Sequence, residues 1–294
     1  MYTHSTIFSL LAKCGDVKSA SLAESYLPKI AKNFDSPTYN SIISAWASIG
    51  TIEGAQRSNA LLEQLEDAID TQGDLSELPH NYGPNSVTYF TVVLISAWVK
   101  SCSVGDRGYA AKKAEEILNR MESKLESPKF SEKEKIDRFK PNVIAYSSII
   151  DCWSKSGSKD ASNHVEKLLG RMESNDIKPN VFTYTSCLAT YARSDSETGA
   201  KKASDLLTRM KNMYRDTGDE SLKPTIVSYF SVIDGWARSD SKDAGVEAEH
   251  FLREVEDLYR GGDLGMKLDV RVYARSLHIA NLVRKEAMVK LLAF

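Results

Sequence analysis

The sequence predicts an all-α fold, an α-solenoid of antiparallel helix-turn-helix repeats that stack on one another. Three observations lead to this prediction. One short phrase recurs along the 294-residue chain, two apolar segments of helical spacing follow it, and a polar break separates those segments. A hairpin of this kind cannot bury its apolar stripe alone, so neighbouring hairpins must cover it.

The recurring phrase combines a proline, a small polar residue, apolar residues and a tyrosine. In four copies a second large aromatic ring follows the tyrosine by seven residues, as Trp153 follows Tyr146. Seven residues make two helical turns, so we expect both rings on one buried face of a first helix. The clearest copies span residues 140–147, 178–185 and 223–230, and the looser ones span 35–40, 83–90 and 268–274.

A second helix is predicted after each polar break. Its apolar residues stand at i, i+3, i+4 and i+7, as in Ala114, Ile117, Leu118 and Met121, which gives one buried stripe. The sequence therefore predicts a single repeat array over residues 1–294. Its units lie at about 1–35, 36–85, 86–142, 143–180, 181–225 and 226–269, followed by a partial unit at 270–294.

The residues in excess of a bare hairpin collect after the second helices. In the connector from Lys124 to Lys140, Ser131 and Glu134 have the spacing of a capping box, which predicts a short extra helix. One unit departs from the pattern, because Trp98 follows Tyr89 by nine residues rather than seven. Either two residues are inserted in that helix or its register shifts.

Composition indicates a folded protein without a membrane span. Hydrophobic residues make up 42% of the chain and the net charge is -2, so a nucleic-acid site would need a local positive surface. No apolar stretch approaches the length of a bilayer span. The four scattered cysteines predict no disulfide framework, and no zinc, nucleotide-binding or hydrolase motif is present. We therefore expect no metal, no cofactor and no enzymatic activity.

The phrase and the second-helix pattern together resemble the pentatricopeptide repeat family, over nearly the whole chain. The resemblance is carried by Pro179-Asn180-Val181-Phe182-Thr183-Tyr184-Thr185 and by Ala203-x-x-Leu206-Leu207-x-x-Met210. It implies a right-handed superhelix that binds single-stranded RNA sequence-selectively, in RNA processing, stability or translation in a mitochondrion or plastid. The connectors depart from the family because they make most units longer than its 35 residues.

In this family the residue after the tyrosine and the last residue of the unit read a base, and the second residue packs against it. Position by position, the resemblance implies guanine, pyrimidine and adenine readers in three pairs, and an ambiguous fourth pair. Those pairs are Ser5 with Asp35, Asn40 with Asn85, Ser147 with Asn180, and Thr185 with Thr225. Asn142 and Asp269 belong to units with Phe90 and Phe230 at the other reading position, and the base-packing residues are Val87, Ile144, Phe182 and Val227.

Several alternatives stay open at this point. The Asn and Asp residues before the helices would also serve as caps alone, and Val143, Ile144 and Phe182 would also suit an inter-repeat core. The same fold could form a protein–protein scaffold within an organellar ribonucleoprotein or ribosomal assembly. Because the chain begins at the first residue of a unit and stops inside a helix, we expect a fragment of a longer protein.

Overall fold

A computed structural model of the chain describes residues 4–30, 36–71, 82–94 and 107–261. These residues form α-helices with one 3-10 turn, and no β-strand occurs among them. The predicted all-α helical-repeat fold is confirmed. The chain divides into two compact units, residues 1–158 and 159–294, and the single array over both stays a prediction.

In the first unit, the helices pair into hairpins whose first helices α1, α4, α6 and α9 pack against one another in succession. Helices α5 and α7 pack beside them as second helices, and α8 is the additional helix predicted in the long connector. The helices are α1 (His4–Cys14), α2 (Val17–Ser25), α3 (Leu27–Ile30), α4 (Ser36–Ile49), α5 (Ile52–Asp70), α6 (Ser86–Leu94), α7 (Arg107–Leu125), α8 (Glu132–Phe139) and α9 (Val143–Ser156).

The second unit continues the same alternation. Helix α11 packs against α10, α12 and α13, and α13 packs in turn against α12 and α14. Helix α11 therefore contacts its own second helix α12 and the next first helix α13. The helices are α10 (Ala161–Ser174), α11 (Val181–Ala192), α12 (Glu197–Thr217), α13 (Ile226–Arg238) and α14 (Ala244–Arg260), with the 3-10 turn at Glu220–Leu222.

The paired aromatic rings of the first helices form the core, as predicted. Tyr146, Trp153 and Tyr184 are fully buried, and Tyr229 and Trp236 are nearly so. A buried indole N–H needs an acceptor, and each tryptophan in the described part of the chain finds one on an earlier second helix. Trp46 donates to Glu24 at 2.8 Å, Trp153 donates to Glu115 at 2.9 Å, and Trp236 donates to Ser204 at 2.8 Å.

The tight turns that follow the first helices α1, α4, α9 and α11 each contain a residue in the left-handed backbone conformation. Gly15, Gly50 and Gly157 have φ values of 65°, 71° and 65°, a conformation that glycine adopts without steric cost. At the corresponding place after α11, Asp195 takes φ 48°. The sequence alignment of Gly15 with Gly50 is therefore confirmed in the backbone.

The first turn of a second helix approaches the end of the first helix so closely that only glycine fits. A Cβ atom on Gly54 would lie 2.5 Å from the carbonyl oxygen of Trp46, and one on Gly199 would lie 2.6 Å from that of Tyr191. These distances are shorter than van der Waals contact with a backbone atom that cannot rotate away. Glycine at this place thus sets the separation of the two helices in both hairpins.

The extra helix in the connector is confirmed, together with its cap. The Ser131 backbone N–H donates to the Glu134 carboxylate at 3.0 Å, and the Glu134 backbone N–H donates to the Ser131 hydroxyl at 3.4 Å. This reciprocal pair is the capping box that the spacing predicts.

The cysteines correct one expectation. Cys14 and Cys187 are free thiols, whereas Cys152 is disulfide-bonded, so the expectation of no disulfide is wrong for Cys152. Pairing depends on which helices pack together, and the spacing of cysteines in the sequence does not contain that information. Trp98 and the partial unit at 270–294 lie outside the described residues.

We expect Gly199→Ala to destabilise the protein, because the added methyl group meets the Tyr191 carbonyl and the Ser194 side chain. Overpacking of this kind costs about 1–3 kcal/mol. Gly170→Ala is the matched control, since a Cβ atom there meets nothing within 4 Å. That helical substitution should stabilise by about 0.5–1 kcal/mol. Urea unfolding followed by circular dichroism measures both, and equal shifts for the two variants would contradict the close approach.

Candidate nucleic-acid interface

The first helices α6, α9 and α11 each begin at an asparagine whose side chain caps the helix. The Asn142 carboxamide oxygen accepts the backbone N–H of Ala145 at 2.9 Å, and that of Asn180 accepts the N–H of Thr183 at 3.0 Å. Asn85 does the same for α6 through Thr88 at 3.0 Å. Such bonds satisfy orphan donors of the first helical turn, so the capping interpretation is confirmed for these asparagines.

The second residue of these helices is apolar and faces outward. Val87, Ile144, Phe182 and Val227 keep 54%, 53%, 51% and 50% of their surface exposed. They occupy the same place in α6, α9, α11 and α13. The alternative that Ile144 and Phe182 belong to the inter-repeat core is therefore wrong. Each compact unit thus holds two half-exposed apolar side chains at this repeated position, which suits contact with a flat apolar ligand surface.

The fifth residue of each first helix lies at the edge of this exposed position. Asn40 and Thr185 are half-buried, and Ser147 is buried. The Asn40 carboxamide oxygen is buried without a hydrogen-bond partner in the described structure. An unpaired buried acceptor costs free energy, so a ligand that donates to Asn40 would recover it.

One predicted reading pair is brought together by a bridging hydroxyl group. The Thr185 hydroxyl lies 3.3 Å from the Ser228 hydroxyl, which in turn lies 3.3 Å from the Thr225 hydroxyl. Ser228 also accepts the Thr225 backbone N–H at 3.3 Å. Thr185 on α11 and the cap of α13 therefore belong to one polar cluster, beside the exposed Val227.

The comparison with protein families agrees with this geometry. Residues 129–194 and 167–238 both match the model of the pentatricopeptide repeat domain. Residues 129–238 are therefore similar to pentatricopeptide repeats. No curated protein matches the chain. Repeats of this family form solenoids and in general bind RNA without catalysis.

Several predicted site residues remain untested. Ser5 lies in α1 but its side chain is outside the described part of the structure, as are Asp35 and Asp269 altogether. Ser147 and Asn180 lie in different compact units, so their pairing stays a prediction.

Two repeats carry phenylalanine at the reading position. Phe90 and Phe230 are half-buried at the fifth place of α6 and α13. A phenyl ring has no hydrogen-bonding group, so it cannot distinguish one base edge from another, but it can stack on any base. Asn142 of the Phe90 unit is still placed as a cap, as described above.

Many basic side chains of the repeats are engaged on the second helices. Arg120 pairs with Glu63 at 2.9 Å between α7 and α5. In the second unit, Lys202 of α12 pairs with Glu166 of α10 at 2.7 Å, and Arg209 pairs with Glu173 at 2.8 Å. Exposed ion pairs contribute little stability, but they neutralise positive charge that would otherwise attract phosphate.

Neither a metal-binding cluster nor a membrane-spanning helix is found among the described residues. No group of His, Cys, Asp and Glu within the described ranges could hold a metal ion. Burial raises the pKa of the Cys187 thiol well above its usual range, which keeps it protonated and unreactive. None of the helices in the described ranges is long and apolar enough to cross a membrane.

The cap at Asn180 leads to a prediction about stability. Asn180→Ala removes the acceptor for the Thr183 N–H and should destabilise the protein by about 1 kcal/mol. Asn180→Asp keeps a capping oxygen and should leave stability nearly unchanged. Urea unfolding of both variants tests this, and an equally large loss for Asn180→Asp would show that capping is not the structural role of Asn180.

Proposed function

We propose that the chain binds single-stranded RNA sequence-selectively along the starts of its first helices, with one base at each repeat. The observation that carries this proposal is the half-exposed apolar residue at the second position of four first helices, Val87 and Ile144 in the first unit and Phe182 and Val227 in the second. An exposed apolar side chain costs free energy in water, which a stacked or packed base would offset. Scattered surface apolar residues are ordinary, but these four recur at one position of the repeat.

Polar groups beside these residues supply the means to select a base. The asparagine caps have an amide nitrogen, the threonine and serine hydroxyls both donate and accept, and Asn40 holds a buried acceptor without a partner. Single-stranded bases expose their edges to such groups. Phosphate contacts would set affinity while these side chains set specificity.

We further propose that the chain acts in a mitochondrion or plastid, in the processing, stability or translation of a transcript. The support is the family resemblance and the match to pentatricopeptide repeats over residues 129–238. Imaging of a fluorescent fusion to the full natural protein, with organellar markers, tests the location. A signal confined to the nucleus or cytosol would contradict it.

We predict that Phe182→Ala weakens RNA binding without unfolding the protein. Loss of a base–aromatic contact costs about 1–3 kcal/mol, a five- to more than hundred-fold loss of affinity, whereas a half-exposed side chain contributes little to folding. The measurement is a titration of RNA selected from a randomised pool, by fluorescence anisotropy, with urea unfolding alongside it.

Tyr259→Ala is the control for that experiment. Tyr259 is an aromatic side chain with 53% of its surface exposed, and it lies in the second helix α14 rather than at the second position of a first helix. Its removal should leave RNA affinity unchanged. Equal affinities of the parent and Phe182→Ala would contradict the proposed base contact of Phe182, and absence of RNA binding by the parent near physiological salt would favour a protein scaffold.

We also predict that Asn40→Ser changes base preference in the unit of residues 36–85. The family resemblance assigns the Asn40 and Asn85 pair to a pyrimidine and a serine–asparagine pair to adenine. The substitution shortens the side chain and replaces an amide by a hydroxyl, so a larger purine is accommodated. Sequencing of RNA selected by the parent and by the variant measures the shift. An unchanged preference at every position would contradict a reading role for Asn40.

A further inference from the structure

The connector helix α8 (Glu132–Phe139) is held firmly against the start of α6. The Arg138 guanidinium group donates to the carbonyl oxygens of Tyr82 and Pro84, the latter at 3.3 Å. The buried Phe139 ring packs 4.7 Å from Phe130 and 6.1 Å from Tyr89, centroid to centroid. The position of α8 is therefore fixed by contacts to the segment that leads into α6.

This placement puts α8 between the starts of α6 and α9, two successive first helices. The Ser86 hydroxyl lies 3.5 Å from the Asp137 carbonyl oxygen, and Ser86 is the neighbour of the half-exposed Val87. At its other end, α8 leads through Lys140 to Asn142, the cap of α9. Helix α8 thus lies beside the starts of both first helices, where Val87 and Ile144 are half-exposed.

The outer surface of α8 carries one apolar residue between two lysines. Lys133, Ile136 and Lys140 are all exposed. Lys133 and Ile136 lie one turn apart in α8, and Lys140 is the residue that directly follows its last turn. Ile136 keeps 58% of its surface exposed. We call Lys133, Ile136 and Lys140 the connector stripe.

The two lysines of the connector stripe differ from the other basic residues of this segment. Lys135 pairs with Glu132 at 2.7 Å, Lys129 donates to the Asp70 carbonyl oxygen, and Arg138 is bound to carbonyl groups as described. Lys133 and Lys140 have no acidic partner among the described residues. Residues 129–140 contain five basic and three acidic side chains in a chain of net charge -2.

We propose that the connector stripe binds the sugar–phosphate backbone of the RNA strand whose bases lie at the starts of α6 and α9. This inference rests on the proposed function. The lysines would neutralise phosphates, and Ile136 would pack against a ribose. A protein partner fits less well, because lysine is depleted in the buried centres of protein–protein interfaces, whereas unpaired lysines are the usual phosphate contacts.

The test compares two double variants of the protein with the same change in charge. Lys133→Gln with Lys140→Gln removes the unpaired charges of the connector stripe. The control is Lys112→Gln with Lys167→Gln, which removes two exposed lysines of the second helices that likewise have no acidic partner among the described residues. The dissociation constant for the selected RNA is measured from about 0.05 to 0.2 M salt for the parent and both variants.

We expect the connector-stripe variant to bind more weakly, with a salt slope lower than that of the parent by about 1.4, since each single-strand phosphate contact contributes about 0.7. Its disadvantage against the parent should therefore shrink about sevenfold between about 0.05 and 0.2 M salt. The base preference of the variant should equal that of the parent, and the control variant should keep the parental slope.

The outcomes separate this inference from the proposed function. If the parent binds RNA and Phe182→Ala weakens that binding, but the connector-stripe variant behaves like the control, the inference on α8 is wrong and the proposed function stands. If the parent binds no RNA, the proposed function fails and the inference fails with it. A changed base preference in the connector-stripe variant would also overturn the inference, because backbone contacts carry no sequence information.

Discussion

Burial of one tyrosine in each of the helices α6, α9, α11 and α13 determines what that helix presents to solvent. Tyr89, Tyr146, Tyr184 and Tyr229 all stand at the fourth position and are buried. Each residue turns the helix by about 100°, so the second position lies about 200° from the tyrosine. The apolar residue at that position has no core to enter. The exposure of the second residue therefore follows from the burial of the tyrosine at the fourth position.

The tyrosine hydroxyls also fix each repeat to the one before it in the first unit. Tyr89 donates to the Glu66 carboxylate of α5 at 2.7 Å, and Tyr146 donates to Glu122 of α7. Burial raises the pKa of Glu66, and the Arg120 guanidinium opposes that rise. Glu66 and Glu122 occupy equivalent places, because each directly follows the last residue of the i, i+3, i+4, i+7 apolar pattern, Leu65 in α5 and Met121 in α7. A hydrogen bond of this kind has one geometry, so it sets the register between hairpins where apolar packing alone would permit sliding.

The sequence predicts this protein well where a residue's role depends on its own repeat. The seven-residue spacing of Tyr146 and Trp153, the capping box at Ser131 and Glu134, and the asparagine caps are all local patterns. The outward direction of Ile144 and Phe182 could not be predicted, because an apolar residue beside a buried tyrosine suits a core equally well in a one-dimensional pattern. The docking of α8 onto α6 was equally inaccessible, since Arg138 and the Tyr82 carbonyl are distant in sequence and no period connects them.

The asparagine caps would restrict which hydrogen-bonding group each repeat offers to a base in the proposed mode of binding. The carboxamide oxygens of Asn142 and Asn180 are occupied by the first helical turn, so each amide is prevented from reversing and its nitrogen is the atom left for a ligand. A free asparagine offers a donor and an acceptor equally, whereas a capping asparagine offers mainly a donor. An aspartate in the same place would present only acceptors. In the proposed mode of binding, the hydrogen bonds that begin α9 and α11 would thus also determine which polarity of base edge these repeats accept.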